Sequence, residues 1–178
     1  HGAMISANQE TIWGMSDNGA SLLYFAKLCE LFEPHSAVEC HGFDWFRGME
    51  PTDNDPDVAE GSYLAVEETL RKNIEIQGLG HIAKIHRMDV IKELDPWFDA
   101  NPLPLKIAFI DAGVYPVVKA CVPVLWKQLG PGGIMILDHY GDPRVGGEIL
   151  AVRECLPSVE IQQFPWSRHP TAYIIKPA

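Results

Sequence analysis

Cysteine is scarce in this 178-residue chain, and the four that occur, Cys29, Cys40, Cys121 and Cys155, are scattered. With no CxxC pair and no paired histidine, neither a zinc cluster nor a disulfide framework is indicated. Buried reduced thiols in a cytoplasmic protein are the simpler reading. Positive charge is also short: 14 Lys and Arg stand against 24 Asp and Glu, for a formal net charge of -10. That balance argues against a nucleic-acid backbone or an anionic membrane surface as the main partner and suits a site that holds a cation. No apolar run approaches the ~20 residues of a membrane span. The start, HGAMISANQE, shows no basic region followed by an apolar one, so no signal peptide is expected. His1 to Ala3 read as an expression scar ahead of Met4. Internal repeats and a GxGxxG fingerprint are lacking too.

What is present is alternation. The length suits a single domain over residues 1–178, with a core that needs neither disulfides nor metals. A strand is predicted at Thr11 to Met15, then a Ser16-Asp17-Asn18-Gly19 turn and a helix through Leu22, Leu23, Ala26 and Phe32 that Pro34 stops. VECHGFD gives a second strand, and a polar loop runs on to about Ala59. EGSYLAVEETLRKNIEIQGLG reads as an amphipathic helix from Glu60 closed by Gly78, and HIAKIHRMD as a third strand. DVIKELDPWF is a short helix and PLKIAFIDAG a fourth strand. A helix from Tyr115 to Leu129 ends at a Gly130-Pro131-Gly132-Gly133 turn, and IMILDHYG is the fifth strand. A helix from Val145 to Cys155 and strands at Val159 to Phe164 and Ala172 to Ile175 complete the chain. WSRHPT is too short to hold a helix, so the last two strands form an antiparallel pair. The expected fold is therefore α/β: a doubly wound, mostly parallel, seven-stranded Rossmann-like sheet with an antiparallel hairpin at its carboxyl end.

The residues in GFDWFRGMEP and in FIDAGVYPVVKACVPVLWKQLGPGGIMILDHYG, together with the helix EGSYLAVEETLRKNIEIQG, carry a family resemblance. The chain resembles the macrocin-like sugar O-methyltransferases, class I enzymes that use S-adenosylmethionine, from about Thr11 to the end. Gly113 stands where that family has a second Asp in its fourth-strand motif, and His139 where it has a second Asp after the fifth strand. WGMSDNGAS replaces its Glu and Gly at the end of the first strand. The resemblance implies S-adenosylmethionine as cofactor and a hydroxylated small molecule, such as a sugar, as methyl acceptor.

Adenosylmethionine needs a close backbone approach after the first strand, an acceptor for the ribose diol after the second and an adenine slot after the third. Gly14, Ser16, Asn18 and Gly19 lie in the first loop, which reads equally as plain punctuation before a helix. Asp44 closes the second strand, where a carboxylate grips a diol; a turn or N-cap role competes. Trp45 is placed to stack on the ligand or cover the core edge. Met88 and Asp89 fall where the resemblance puts adenine contacts, and Asp89 would also cap the following helix. Asp111 and Asp138 end adjacent strands in the expected order. With His139 they make a two-carboxylate, one-imidazole set able to hold a divalent cation such as magnesium or manganese, the nitrogen ligand weighing against magnesium and toward manganese, another transition metal or none. Such a metal would fix two substrate oxygens and lower the pKa of the reacting hydroxyl. Alternatively Asp111 contacts the cofactor, and His139 takes the hydroxyl proton without metal. Asp111 and His139 are the catalytic candidates under either reading. A homodimer would show itself as an exposed apolar face on the sheet edge or the N-terminal helix. Two other functions stay open: a non-catalytic module on the same fold, and a nicotinamide-dependent oxidoreductase, against which the missing GxGxxG counts.

Overall fold

The computed structural model describes residues 5–6, 19–142, 146–169 and 171–177. Its strands are β1 (Ile5–Ser6), β2 (Cys40–Asp44), β3 (Ala83–Arg87), β4 (Leu105–Ile110), β5 (Leu129–Leu137), β6 (Gln162–Gln163) and β7 (Ala172–Ile175). The helices are α1 (Ala20–Phe32), α2 (Glu67–Ile76), α3 (Val90–Ala100), α4 (Tyr115–Gln128) and α5 (Gly147–Cys155). The strands lie in one sheet in the order β3-β2-β1-β4-β5-β7-β6. β1 to β5 run parallel, and β7 is antiparallel to both β5 and β6.

β4 is a continuous apolar run because helices cover both faces of the sheet. Ala108 and Ile110 pack with Leu94 and Phe98 of α3, Val118, Val122 and Leu125 of α4, and Ala151 and Val152 of α5. On the opposite face Phe109 meets Phe25 of α1 edge-on at 5.6 Å, beside a cluster of Leu22, Leu23, Ala26, Leu70 and Ile74 from α1 and α2. Strand periodicity of two thus divides one apolar sequence between two cores. α1 leaves Tyr24, Leu31 and Phe32 exposed. No helix among the described residues is long and apolar enough to cross a membrane.

Several boundaries differ from the sequence reading. Thr11 to Met15 lies outside the described residues, and the strand that sits between β2 and β4 is formed by Ile5–Ser6. The helix read from Glu60 starts only at Glu67, because Gly61 and Tyr63 adopt φ of 72° and 59°, which a right-handed helix excludes. The Gly130 to Gly133 turn is instead part of β5. A register shift between Leu105 and Ile107 absorbs it, with Gly132 at φ 75°. Lys176 pins this irregular segment from β7's side: Gly132 N–H donates to its carbonyl, and its own N–H donates to the Gly133 carbonyl. α5 begins at Gly147, and the strand read at Val159 to Phe164 contracts to Gln162–Gln163.

Gly19 opens α1 at φ 83°, and a Cβ there would stand 2.1 Å from Leu70 Cδ1 of α2. Gly19→Ala is expected to cost ~1–3 kcal/mol through backbone strain and overpacking. Urea unfolding would show it as a lower midpoint at unchanged slope. An unchanged midpoint would mean that the helix entry can be rebuilt without this glycine.

Candidate active site

In a parallel sheet covered by helices, polar side chains gather where strands end and loops begin, at the carboxyl rim. Asp44 ends β2 there. Its Oδ1 accepts the Phe46 N–H at 2.6 Å in a tight turn that holds Phe46 at φ 57°. Its Oδ2 is buried and has no hydrogen-bond partner among the described residues. Burial raises the Asp44 pKa to about 6, against the pull of the Phe46 and Trp45 backbone N–H groups. A buried carboxylate oxygen without a donor is costly unless a ligand supplies one.

Asp111 follows β4 and Asp138 follows β5, and the pairing of Ile110 with Leu137 brings them to the same level. Asp138 N–H donates to the Ile110 carbonyl at 3.0 Å. His139 joins them: its Nδ1 lies 3.7 Å from Asp111 Oδ1 and 3.6 Å from Asp138 Oδ2. All three are almost fully buried, at 2%, 4% and 6% exposure, so their charges interact in a medium that screens weakly. The predicted set of Asp111, Asp138 and His139 is therefore one cluster. Two strand spacings of ~4.8 Å separate the β2 and β4 ends, which places Asp44 about 10 Å from it across β1.

Other predicted residues have structural employment. Met88 is 9% exposed and packs in the core beside Phe43. Asp89 caps α3: its side chain accepts the Ile91 N–H and pairs with Lys92, while its own N–H donates to Glu93. Trp45 donates its indole N–H to the Gly48 carbonyl at 2.7 Å. Gly19 serves the α1–α2 contact described above. Gly14, Ser16 and Asn18 lie outside the described residues.

Three residues that sequence reasoning passed over belong to the site. His169, in the connector between β6 and β7, has its Nδ1 3.2 Å from the Asp138 carbonyl and 3.4 Å from Asp138 Oδ2. Glu148 of α5 is fully buried behind the rim, facing the backbone N–H groups of His139 and Gly113. Burial, and Asp138 beside it, push its pKa well above the carboxylate range. Its position three and four residues before the buried Ala151 and Val152 places it on the inner helix face, a signal present in the sequence. Asp55, in the polar loop that follows β2, is 1% exposed. Its carboxylate accepts the Tyr115 N–H at the start of α4 and the Gly147 N–H at the start of α5, both at 2.8 Å, and the Thr52 hydroxyl at 2.9 Å. One acid from a distant loop thus caps the two helices that follow Asp111 and Asp138.

Five helix-linked parallel strands closed by an antiparallel hairpin, with acids at the ends of β2, β4 and β5, define a class I methyltransferase fold. A family profile described as a methyltransferase domain matches residues 16–140, and the chain belongs to that family. This sets aside the nicotinamide oxidoreductase reading. No curated protein sequence matches the chain. Among solved structures, the calicheamicin methyltransferase CalS11 superposes with a TM-score of 0.81 at 21% identity, covering 98% of this chain and 71% of that one. A second, apo structure, described as a TDP-rhamnose 3'-O-methyltransferase, gives 0.70 at 22% identity, covering 98% and 70%. The O-methyltransferase from Bacillus cereus, in complex with S-adenosylhomocysteine, gives 0.59 at 17% identity, covering 97% and 71%. At these identities the likeness is one of fold.

Proposed function

We propose that this chain is an S-adenosylmethionine-dependent O-methyltransferase of the macrocin-like kind, acting on a hydroxylated small molecule such as a sugar. In this reading residues 1–178 make one domain with a seven-stranded class I sheet, working in the cytoplasm, where its free thiols stay reduced. The observation that carries the proposal is the buried Oδ2 of Asp44 at the end of β2, which has no hydrogen-bond partner among the described residues. It suits a ribose diol, whose hydroxyls would give that oxygen the donors it lacks. The description of CalS11 as acting on TDP-rhamnose favours a sugar acceptor.

When bound, the sulfonium cofactor supplies an activated methyl group, so the protein need only align the nucleophile, exclude water and take a proton. His139 is the proton acceptor, its imidazole held between the carboxylates of Asp111 and Asp138. Those carboxylates also favour the imidazolium that forms on proton transfer. Glu148 lies buried beside the backbone of His139 and Gly113, and Asp55 fixes the helices beyond them. The oxygens of Asp111 and Asp138 and a nitrogen of His139 also suit a divalent cation, which would bind the acceptor's oxygens.

Calorimetric titration of S-adenosylhomocysteine, followed by a methyl-transfer screen over hydroxylated acceptors, tests the proposal. Micromolar binding, lost in Asp44→Ala, is expected. His139→Gln should leave that binding intact and lower kcat by ~10²–10⁴, the usual contribution of a general base. Absence of binding would overturn the enzyme reading in favour of a non-catalytic module, and unchanged kcat would remove His139 from the proton path.

A further inference from the structure

Four scattered cysteines make no framework, but the fold brings two of them together. Cys29 stands in the last turn of α1, and Cys40 opens β2 eleven residues further on. Strand alternation turns Cys40 toward α1, into the cluster that holds Leu22, Ala26, Leu79 and Ile82, and Cys29 packs against that cluster from the helix. Their Sγ atoms lie 3.7 Å apart. The other two thiols have different surroundings: Cys121 is buried in the core on the opposite face of the sheet, and Cys155 Sγ donates to the Lys119 carbonyl.

Both backbones are held in place. The Cys29 carbonyl accepts the Glu33 N–H at 2.8 Å, and the Cys40 N–H donates to the Ile82 carbonyl at 3.0 Å beside its strand partner Ala83 of β3. A disulfide needs sulfurs ~2.05 Å apart, so each sulfur has only about 0.8 Å to travel, within reach of side-chain rotation on a fixed helix and strand. The two thiols differ in access. Cys29 is partly exposed, whereas Cys40 is fully buried, and burial together with the neighbouring Cys29 raises the Cys40 pKa. An oxidant therefore meets Cys29 first.

We propose that Cys29 and Cys40 form a reversible dithiol and disulfide pair, reduced at rest and oxidised by a small-molecule disulfide. The Cys29 thiolate attacks one sulfur of the oxidant, the oxidant's S–S bond breaks, and one half leaves as a thiolate. Cys40 Sγ then attacks Cys29 Sγ, the mixed disulfide breaks, and the second half leaves. The protons of the two cysteines pass to the two leaving thiolates, so the pair loses two electrons and the oxidant gains them. Transient, redox-sensing bonds of this kind are the disulfides that a reducing compartment permits. Once closed, the bond fastens the last turn of α1 to the strand whose far end carries Asp44. The inference requires nothing of the methyltransferase reading.

The test is incubation of the folded chain with glutathione disulfide, alkylation of the remaining thiols in urea, and mass spectrometry after trypsin digestion. Cleavage after Lys27 and Arg47 leaves both cysteines in residues 28–47, with Cys121 and Cys155 in separate peptides. That peptide is expected to escape alkylation and to be lighter by two hydrogens than its reduced form, a change that dithiothreitol reverses. Cys40→Ala should instead keep glutathione on Cys29, because no second thiol displaces it, and Cys29→Ser should leave the buried Cys40 unmodified. The oxidised parent should melt about 5 °C or more above the reduced one, since a cross-link over this span constrains the unfolded chain. A doubly alkylated peptide, glutathione retained on the parent's Cys29, or an oxidised form that melts no higher would each overturn the proposal. Pairing seen only when urea is present during the oxidation would do the same, because the folded geometry would then have no part in it.

Discussion

Asp44→Asn is expected to stabilise the free protein at pH 8 and to weaken S-adenosylhomocysteine binding by about tenfold or more. The two effects have one cause. Burial raises the folded-state pKa of Asp44 from its ordinary 3.8 to about 6. A raised acid contributes stability that is fully present below the unfolded value and is lost as pH rises through the folded one. At pH 8 the ionised carboxylate therefore costs up to about 3 kcal/mol. Asparagine removes that cost and keeps an amide oxygen for the Phe46 N–H, but it cannot offer a charged acceptor to a diol. Each charge-assisted hydrogen bond lost is worth ~1.5–3 kcal/mol, which sets the tenfold floor. Thermal melts should show the stability gap narrowing toward pH 4, and parent affinity should fall as pH drops below 6. A variant that is less stable at pH 8, or that binds as tightly as the parent, would remove Asp44 from the ligand and return it to the turn.

Asp55→Ala should be among the most destabilising single changes, at about 3–4 kcal/mol, although Asp55 lies in a 22-residue loop far from the strand ends in sequence. Truncation orphans the Tyr115 and Gly147 N–H groups and the Thr52 hydroxyl, and lost N-caps typically cost ~0.5–2 kcal/mol each. Gly147→Ala should act on the same joint from the other side. Its Cβ would lie 2.4 Å from Asp55 Oδ2 and 2.7 Å from Tyr115 Cβ. Because each change breaks the same contact, the double variant should lose little more than the worse single one. Urea unfolding of the three variants measures the cycle, and strict additivity would show that the loop and α5 are anchored independently. The site should respond as well. α4 and α5 follow the segments that carry Asp111 and Asp138, so loosening their starts should lower methyl transfer beyond what the unfolded fraction explains.

Much of this architecture was legible in the order of residues, because the physics that writes it is local. Buried strands need apolar runs, amphipathic helices need apolar residues at helical spacing, and a six-residue connector cannot hold a crossover helix. Those rules placed α1, β2, β4, α4 and the closing antiparallel pair, and they put Asp44, Asp111 and Asp138 at strand ends. They erred where a segment carries too little pattern. Ile5–Ser6 is a two-residue strand that exists through its neighbours, and the helix before Glu67 fails at Gly61 and Tyr63. The glycine-rich run after α4 looked like a turn and is a bulged strand held by Lys176.

What belongs to tertiary structure alone is the company these acids keep. His169 reaches Asp138 across 31 residues, and Asp55 reaches the starts of α4 and α5 across 60 and 92. Glu148 enters the core only because α5 turns its inner face to the rim. The sequence states which side chains can bear charge or donate to a metal, since that is intrinsic to each residue. Which of them meet, how deeply they are buried and how far their pKa values move depend on distances between remote segments, and only the folded sheet sets those distances.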